Sequence, residues 1–156
     1  MATFPYDPAY NPPAPTVKIE ISTDLLKAIG VGDDARIGVT MVLDTGADTS
    51  LVPYYAVKLL EREISRLLPY DFRTVEGYDG ERSQHKAYTL TVQSGIDGSD
   101  SGRDVVFLAI KGNEGVLGRD VLNEYSISLD GPKGRWGLFV DTPSTPPPDA
   151  MPDEGN

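Results

Sequence analysis

Residues 36–43, Arg-Ile-Gly-Val-Thr-Met-Val-Leu, read as a strand that ends on an acid, because Asp44-Thr45-Gly46 follows without a break. The run alternates in character at first and becomes wholly apolar toward its end, as a strand does on entering a core. A carboxylate placed there loses part of its hydration, which is costly unless the fold supplies partners. Any fold for this chain has to provide for Asp44.

The remaining pattern is mostly of the same kind. Residues 17–22 alternate apolar and polar with period two, the mark of a half-buried strand. Residues 72–75, 87–92, 104–110, 126–130 and 136–140 read as further strands, and residues 30–34, 95–102 and 131–134 as turns or polar loops. The 13 prolines and 16 glycines suit short strands joined by tight turns. Residues 53–68 break the pattern. There Ala56, Leu59, Leu60, Ile64 and Leu67 recur at three-and-four spacing, with Pro53 at the start and Pro69 past the end, which predicts an amphipathic helix packed on the core. Residues 119–125 predict a brief second helix. The sum is a mainly β domain.

Residues 1–16 and 142–156 are Pro-rich and carry few groups able to offset their ordering entropy, so both are expected to be flexible or extended tails around a domain of residues 17–141. The formal net charge is -10 and Lys and Arg do not cluster, so nucleic acid is not an expected partner. There is no cysteine, which excludes a disulfide framework and a thiol nucleophile. The single histidine, His85, cannot build a multi-histidine metal site within one chain, and no metal or cofactor is expected. His85 itself reads as a surface residue without catalytic work, and Trp136 as a core or interface anchor. The first residues lack a basic segment followed by an apolar one, and no apolar run approaches the roughly 20 residues that span a bilayer. These features predict a soluble, cytoplasmic protein with no membrane partner.

By itself Asp-Thr-Gly is a weak signal, since three common residues recur by chance. Its surroundings are more specific. Leu43-Asp44-Thr45-Gly46-Ala47-Asp48-Thr49-Ser50 resembles the active-site strand and turn of the retropepsin-like aspartic peptidases. Downstream, Gly115-Val116-Leu117-Gly118-Arg119-Asp120-Val121-Leu122 is similar to that family's second signature, two apolar residues and a Gly, with Arg opening a short helix. Between the two, Gly77-Tyr78-Asp79-Gly80 sits where the family has its flap tip. The order of the three elements extends the likeness over roughly residues 37–140.

That resemblance implies a closed, β-barrel-like acid-protease fold with a flap hairpin, one inserted helix and one short C-terminal helix. It also implies an endopeptidase acting on extended polypeptide. Such enzymes activate a water between two carboxylates that share one proton. One catalytic loop of this kind supplies one carboxylate per chain, and the other Asp-(Thr/Ser)-Gly, Asp100-Ser101-Gly102, falls inside the polar loop at 95–102, so a two-fold homodimer would have to supply the other acid. The implied roles are these. Asp44 is catalytic, Thr45 braces the partner's loop, and Gly46 offers its carbonyl to substrate. Asp48 and Arg119 form a buried ion pair beside the site, and Gly118 lets strands cross closely beneath the loop. Ala47 supplies no hydroxyl to the acids, which predicts a mildly rather than strongly acidic optimum. Gly77, Tyr78, Asp79 and Gly80 close over bound peptide. Asp120 is expected to cap or pair within its own short helix. Retroviral relatives interleave both termini in their dimer sheet, and Pro-rich tails suit that poorly. The alternative is a catalytically idle module that keeps the fold for dimerisation or peptide binding.

Overall fold

The computed structural model describes residues 2–24, 35–77, 79–93 and 102–139. The expected turn at 30–34, most of the loop at 95–102, Tyr78, and the C-terminal segment lie outside these residues. Among the described residues the chain is mainly β, with ten strands. They are β1 (Ala2–Pro5), β2 (Thr16–Ser22), β3 (Ile37–Leu43), β4 (Leu51–Pro53), β5 (Asp71–Glu76), β6 (Arg82–Val92), β7 (Arg103–Ile110), β8 (Gly115–Leu117), β9 (Ser126–Asp130) and β10 (Arg135–Phe139). Within the described residues two α-helices interrupt them, α1 (Tyr54–Glu63) and α2 (Arg119–Leu122). No described helix is long and apolar enough to cross a membrane.

Seven strands form the larger sheet in the order β2-β3-β8-β4-β7-β6-β5, and β2 also pairs with β6. The pairings therefore run in a ring from β2 round to β6, with β5 added outside it. The alternation read from the sequence shows in the burial. In β3, Val39, Met41 and Leu43 point into the core, and in β2, Ile19 and Ile21 do so. Two short strands matter most for the site. β8 runs parallel to β3, with Leu43 opposite Leu117. β4 leaves the loop after Asp44, pairs with β8 at Leu51–Val116, and runs parallel to β7.

The helix is shorter than its hydrophobic spacing predicts. α1 stops at Glu63 because Ser65 adopts a left-handed φ of 52°. The N–H of Ser65 then donates to Arg62 O and that of Arg66 to Glu61 O, a closed helix end. The stripe is also rotated from expectation. Ala56, Val57, Leu60, Ile64 and Leu68 are buried, while Leu59 and Leu67 face outward. Glu61 is buried on this face, and it is satisfied by Lys58 Nζ at 2.7 Å and the Leu68 N–H at 3.1 Å. The second helix likewise covers only Arg119–Leu122, not 119–125.

The N-terminal residues are extended, and they are paired rather than flexible. β1 lies antiparallel to β10, which lies antiparallel to β9, giving a separate three-stranded sheet. What holds β1 is aromatic. Phe4 stacks on Trp136 with ring centroids 4.6 Å apart, and Trp136 is 1 % exposed. Such a pair contributes about 0.5–1.5 kcal/mol beyond the area it buries.

Candidate active site

Asp44 follows β3 directly. Its N–H donates to Leu117 O at 3.0 Å, which extends the β3–β8 pairing by one step. Its carboxylate accepts the Gly46 N–H at 2.8 Å, and its carbonyl accepts the Ala47 N–H at 3.2 Å. The side chain is thus oriented by its own turn. The desolvation expected at the end of a core strand is not found in the single chain. Asp44, Thr45 and Gly46 are all exposed, because the apolar run ends at Leu43 and the turn lifts the next three residues off the core.

Beyond the turn, the loop is stitched to residues 117–120. Arg119 N–H donates to Ala47 O at 2.8 Å. Ser50, fully buried, is the centre of a small network. Its Oγ donates to Asp120 Oδ1 at 2.6 Å and accepts the Gly118 N–H at 3.0 Å, while its own N–H donates to Asp120 Oδ2 at 2.9 Å. Every polar atom of that serine is used, which fixes the loop's exit into β4. Asp120 accordingly pairs across to the loop and not within its helix, correcting the expectation from sequence. Ser50 was not singled out at all. Its partner is distant in sequence, and only its place at the end of the Asp-Thr-Gly-Ala-Asp-Thr run hinted at it.

Gly118 sits beneath the same loop, and a Cβ there would lie 2.8 Å from Thr49 C and 2.9 Å from Ala47 O. Those are backbone atoms with nowhere to go, so the glycine expected at a close crossing is required by contact. Asp48 and Arg119 form their ion pair, joining Arg119 Nη2 to Asp48 Oδ1. The pair was expected to be buried, but the two side chains are 77 % and 52 % exposed. In water such a pair contributes little, typically about 0–1 kcal/mol. Nothing among the described residues covers it.

β5 and β6 make the hairpin expected as a flap. All of β5 and the start of β6 are exposed, from Asp71 to Gln84 among the described residues. The tip is organised by Gly77 N–H to Glu81 O at 2.9 Å, Gly80 N–H to Gly77 O at 3.0 Å, and Asp79 Oδ1 accepting the Glu81 N–H at 3.0 Å. Gly80 has a φ of 77°, a conformation that favours glycine. Tyr78, the residue expected to reach over substrate, lies outside the described residues. His85 is half-buried on β6, opposite Arg73 of β5, with Nε2 2.8 Å from Ser83 Oγ. Tyr10 of the N-terminal segment lies beside Glu114, just before β8. Burial, then the neighbouring Glu114 carboxylate, pushes its phenol up to about 12. No group of three His, Asp or Glu able to hold a metal occurs among the described residues.

Comparison with solved structures gives the class of fold. A retropepsin-like aspartic protease from Rickettsia conorii is similar over 88% of this chain and 90% of its own, with 12% identity and a TM-score of 0.50. EIAV protease complexed with the inhibitor HBY-793 is similar over 70% of this chain and 86% of its own, with 20% identity and a TM-score of 0.48. No protein-family model and no curated protein matches the chain. The architecture is the retropepsin-like fold.

Proposed function

We propose that the chain is an aspartic endopeptidase that works as a homodimer, with Asp44 and its symmetry mate activating a water between them. The observation that carries this reading is the Asp44 carboxylate, exposed at the end of a core strand and held in place by the Gly46 N–H. The two other acids of the neighbourhood are engaged, Asp48 with Arg119 and Asp120 with Ser50. Asp44 is left as half of a pair.

Two such carboxylates about 3 Å apart share one proton. The ionised one takes a proton from the water as its oxygen attacks the peptide carbonyl carbon. The protonated one gives its proton to the carbonyl oxygen, forming a neutral tetrahedral diol. When the diol collapses, the C–N bond breaks, the leaving nitrogen takes a proton from one carboxyl, the other carboxylate takes the proton of one diol hydroxyl, and the carbonyl re-forms as an acid with the pair again sharing one proton. Thr45 brackets the partner's loop and Gly46 offers its carbonyl to the substrate backbone, roles supported by their exposure. Gly77, Tyr78, Asp79 and Gly80 close over the peptide, which lies extended between hairpin and loop.

A second copy also has an edge to dock on. Leu129 stands opposite Trp136 in the register and so on the core-facing side of its sheet, yet it is 52 % exposed, because among the described residues the sheet ends at β9. Unprotected edges invite pairing, and proteins guard them with charge or proline. β5 carries Asp71, Arg73 and Glu76, and β1 carries Pro5. Ile127, Ser128 and Leu129 carry neither. Pairing β9 with its mate around a two-fold axis would join two three-stranded sheets and cover Leu129.

The test compares wild type with Asp44→Asn on a mixed peptide library. The variant is expected to remain folded and to cleave nothing. Equal cleavage by both proteins would overturn the reading and favour an idle module.

A further inference from the structure

Beside the base of the hairpin lies a cavity of about 490 Å³ that the proposed chemistry does not use. Three elements form it. Tyr54 comes from the first turn of α1, His85 and Lys86 from β6, and Ala109, Ile110 and Lys111 from the end of β7 and the residue after it. Tyr54, Ala109 and Ile110 make its walls apolar, while its rim is cationic. Lys86 Nζ lies 4.3 Å from the ring centroid of Tyr70 and 6.0 Å from that of Tyr54, and Lys58 Nζ lies 5.1 Å from Tyr54. Neither Lys86 nor Lys111 has a carboxylate partner among the described residues. Two of the six lysines thus line one cavity in a chain of net charge -10, and a third, Lys58, which is paired with Glu61, stands over Tyr54. Tyr54 and Tyr70 (45 % exposed) flank the lysine between them with aromatic surface.

That combination suits a particular chemistry. Prolines in an extended left-handed helix dock between aromatic side chains at low entropic cost, and acids interspersed with them meet the lysines. The chain carries such a segment itself. Residues 140–156 hold Pro143, Pro146, Pro147, Pro148 and Pro152, with Asp141, Asp149, Asp153 and Glu154 and no Lys or Arg. We infer that the cavity formed by Tyr54, Lys86, Ile110 and Lys111 binds an acidic, proline-rich segment, and that its occupant is the chain's own residues 140–156. Reach is sufficient. A left-handed extended helix rises about 3.1 Å per residue, so a segment of this length could span roughly 50 Å, against a radius of gyration near 14 Å for a domain of this size. A docked segment would bridge α1, β6 and β7 where the hairpin leaves the body, and so stiffen its hinge.

The absence of cysteine makes a clean test possible, because Ala150→Cys in the full chain takes one nitroxide label and removes no charge. The labelled, ¹⁵N-enriched chain is diluted into excess unlabelled, unmodified chain so that any partner subunit is silent. The expected result is selective broadening of the His85, Lys86, Ile110 and Lys111 amides, lost in K86E/K111E while the rest of the spectrum is unchanged. Absence of broadening at these amides, or broadening that survives the double charge reversal, would overturn the inference. So would broadening that arises only when the label and the ¹⁵N are on different chains, which would make the occupant a second copy's segment. The readout involves no cleavage and does not depend on the role of Asp44.

Discussion

Gly118 has the least freedom of any residue at the site. The backbone of Thr49 and Ala47 lies within 2.9 Å of where its Cβ would be, and neither strand of the crossing can retreat without breaking the Arg119–Ala47 and Gly118–Ser50 hydrogen bonds. Gly118→Ala is expected to lower stability by about 1–3 kcal/mol, read by thermal or urea denaturation, and to displace the loop that carries Asp44. An unchanged midpoint would show that the crossing is looser than it is drawn. At this scale the sequence was informative where chemistry is written as a run of neighbours, as in Asp44-Thr45-Gly46 or Gly118-Arg119. It was uninformative where two distant positions share one job. Ser50 and Asp120 are 70 residues apart, so Ser50 carried no reading of its own and Asp120 suggested only a cap or pair within its helix. The exposure of Asp48 and Arg119 was hidden for a different reason, since burial of an ion pair depends on what covers it.

The turn between β9 and β10 has its own electrostatic device. Asp130 accepts the Lys133 N–H at 3.3 Å, and its Oδ2 lies 3.3 Å from Lys133 Nζ and 3.5 Å from Arg135 Nε. Burial opposes its charge, but the hydrogen bonds and charges of Lys133 and Arg135 outweigh it and hold the carboxyl below its ordinary value. A carboxyl whose folded value is depressed adds stability above its unfolded value, about 3.9, and loses it as pH falls through the folded one. Asp130→Asn should therefore melt below wild type at neutral pH, and the gap should close as the pH drops beneath the carboxylate range. A gap of equal size at about pH 2 and about pH 7 would contradict this account of the turn. Most strands were legible because period two survives in β2 and the first part of β3, while β7 is a short continuous apolar run. The helix was misjudged at its end, since nothing in Ile64-Ser65-Arg66 announces a left-handed serine. β1 was missed because the prolines of residues 1–16 suggest a tail, while the Trp136 that captures Phe4 lies far along the chain.

Among the described residues the strands form a closed ring that carries Asp44, with a second sheet whose last strand is β9. If β9 is the docking edge, Leu129→Lys should leave the fold intact by circular dichroism yet shift the protein toward monomer in sedimentation, with loss of cleavage at concentrations where wild type is dimeric. A folded variant that stays dimeric and active would place the contact elsewhere. The central claim is that each working site needs one acid from each of two copies, and subunit mixing measures that directly. At constant total concentration, an equal mixture of wild type and Asp44→Asn, exchanged to equilibrium, should retain about one quarter of the wild-type cleavage rate, because only that share of random pairs holds two carboxylates. A mixture retaining half would mean that each chain cleaves on its own account.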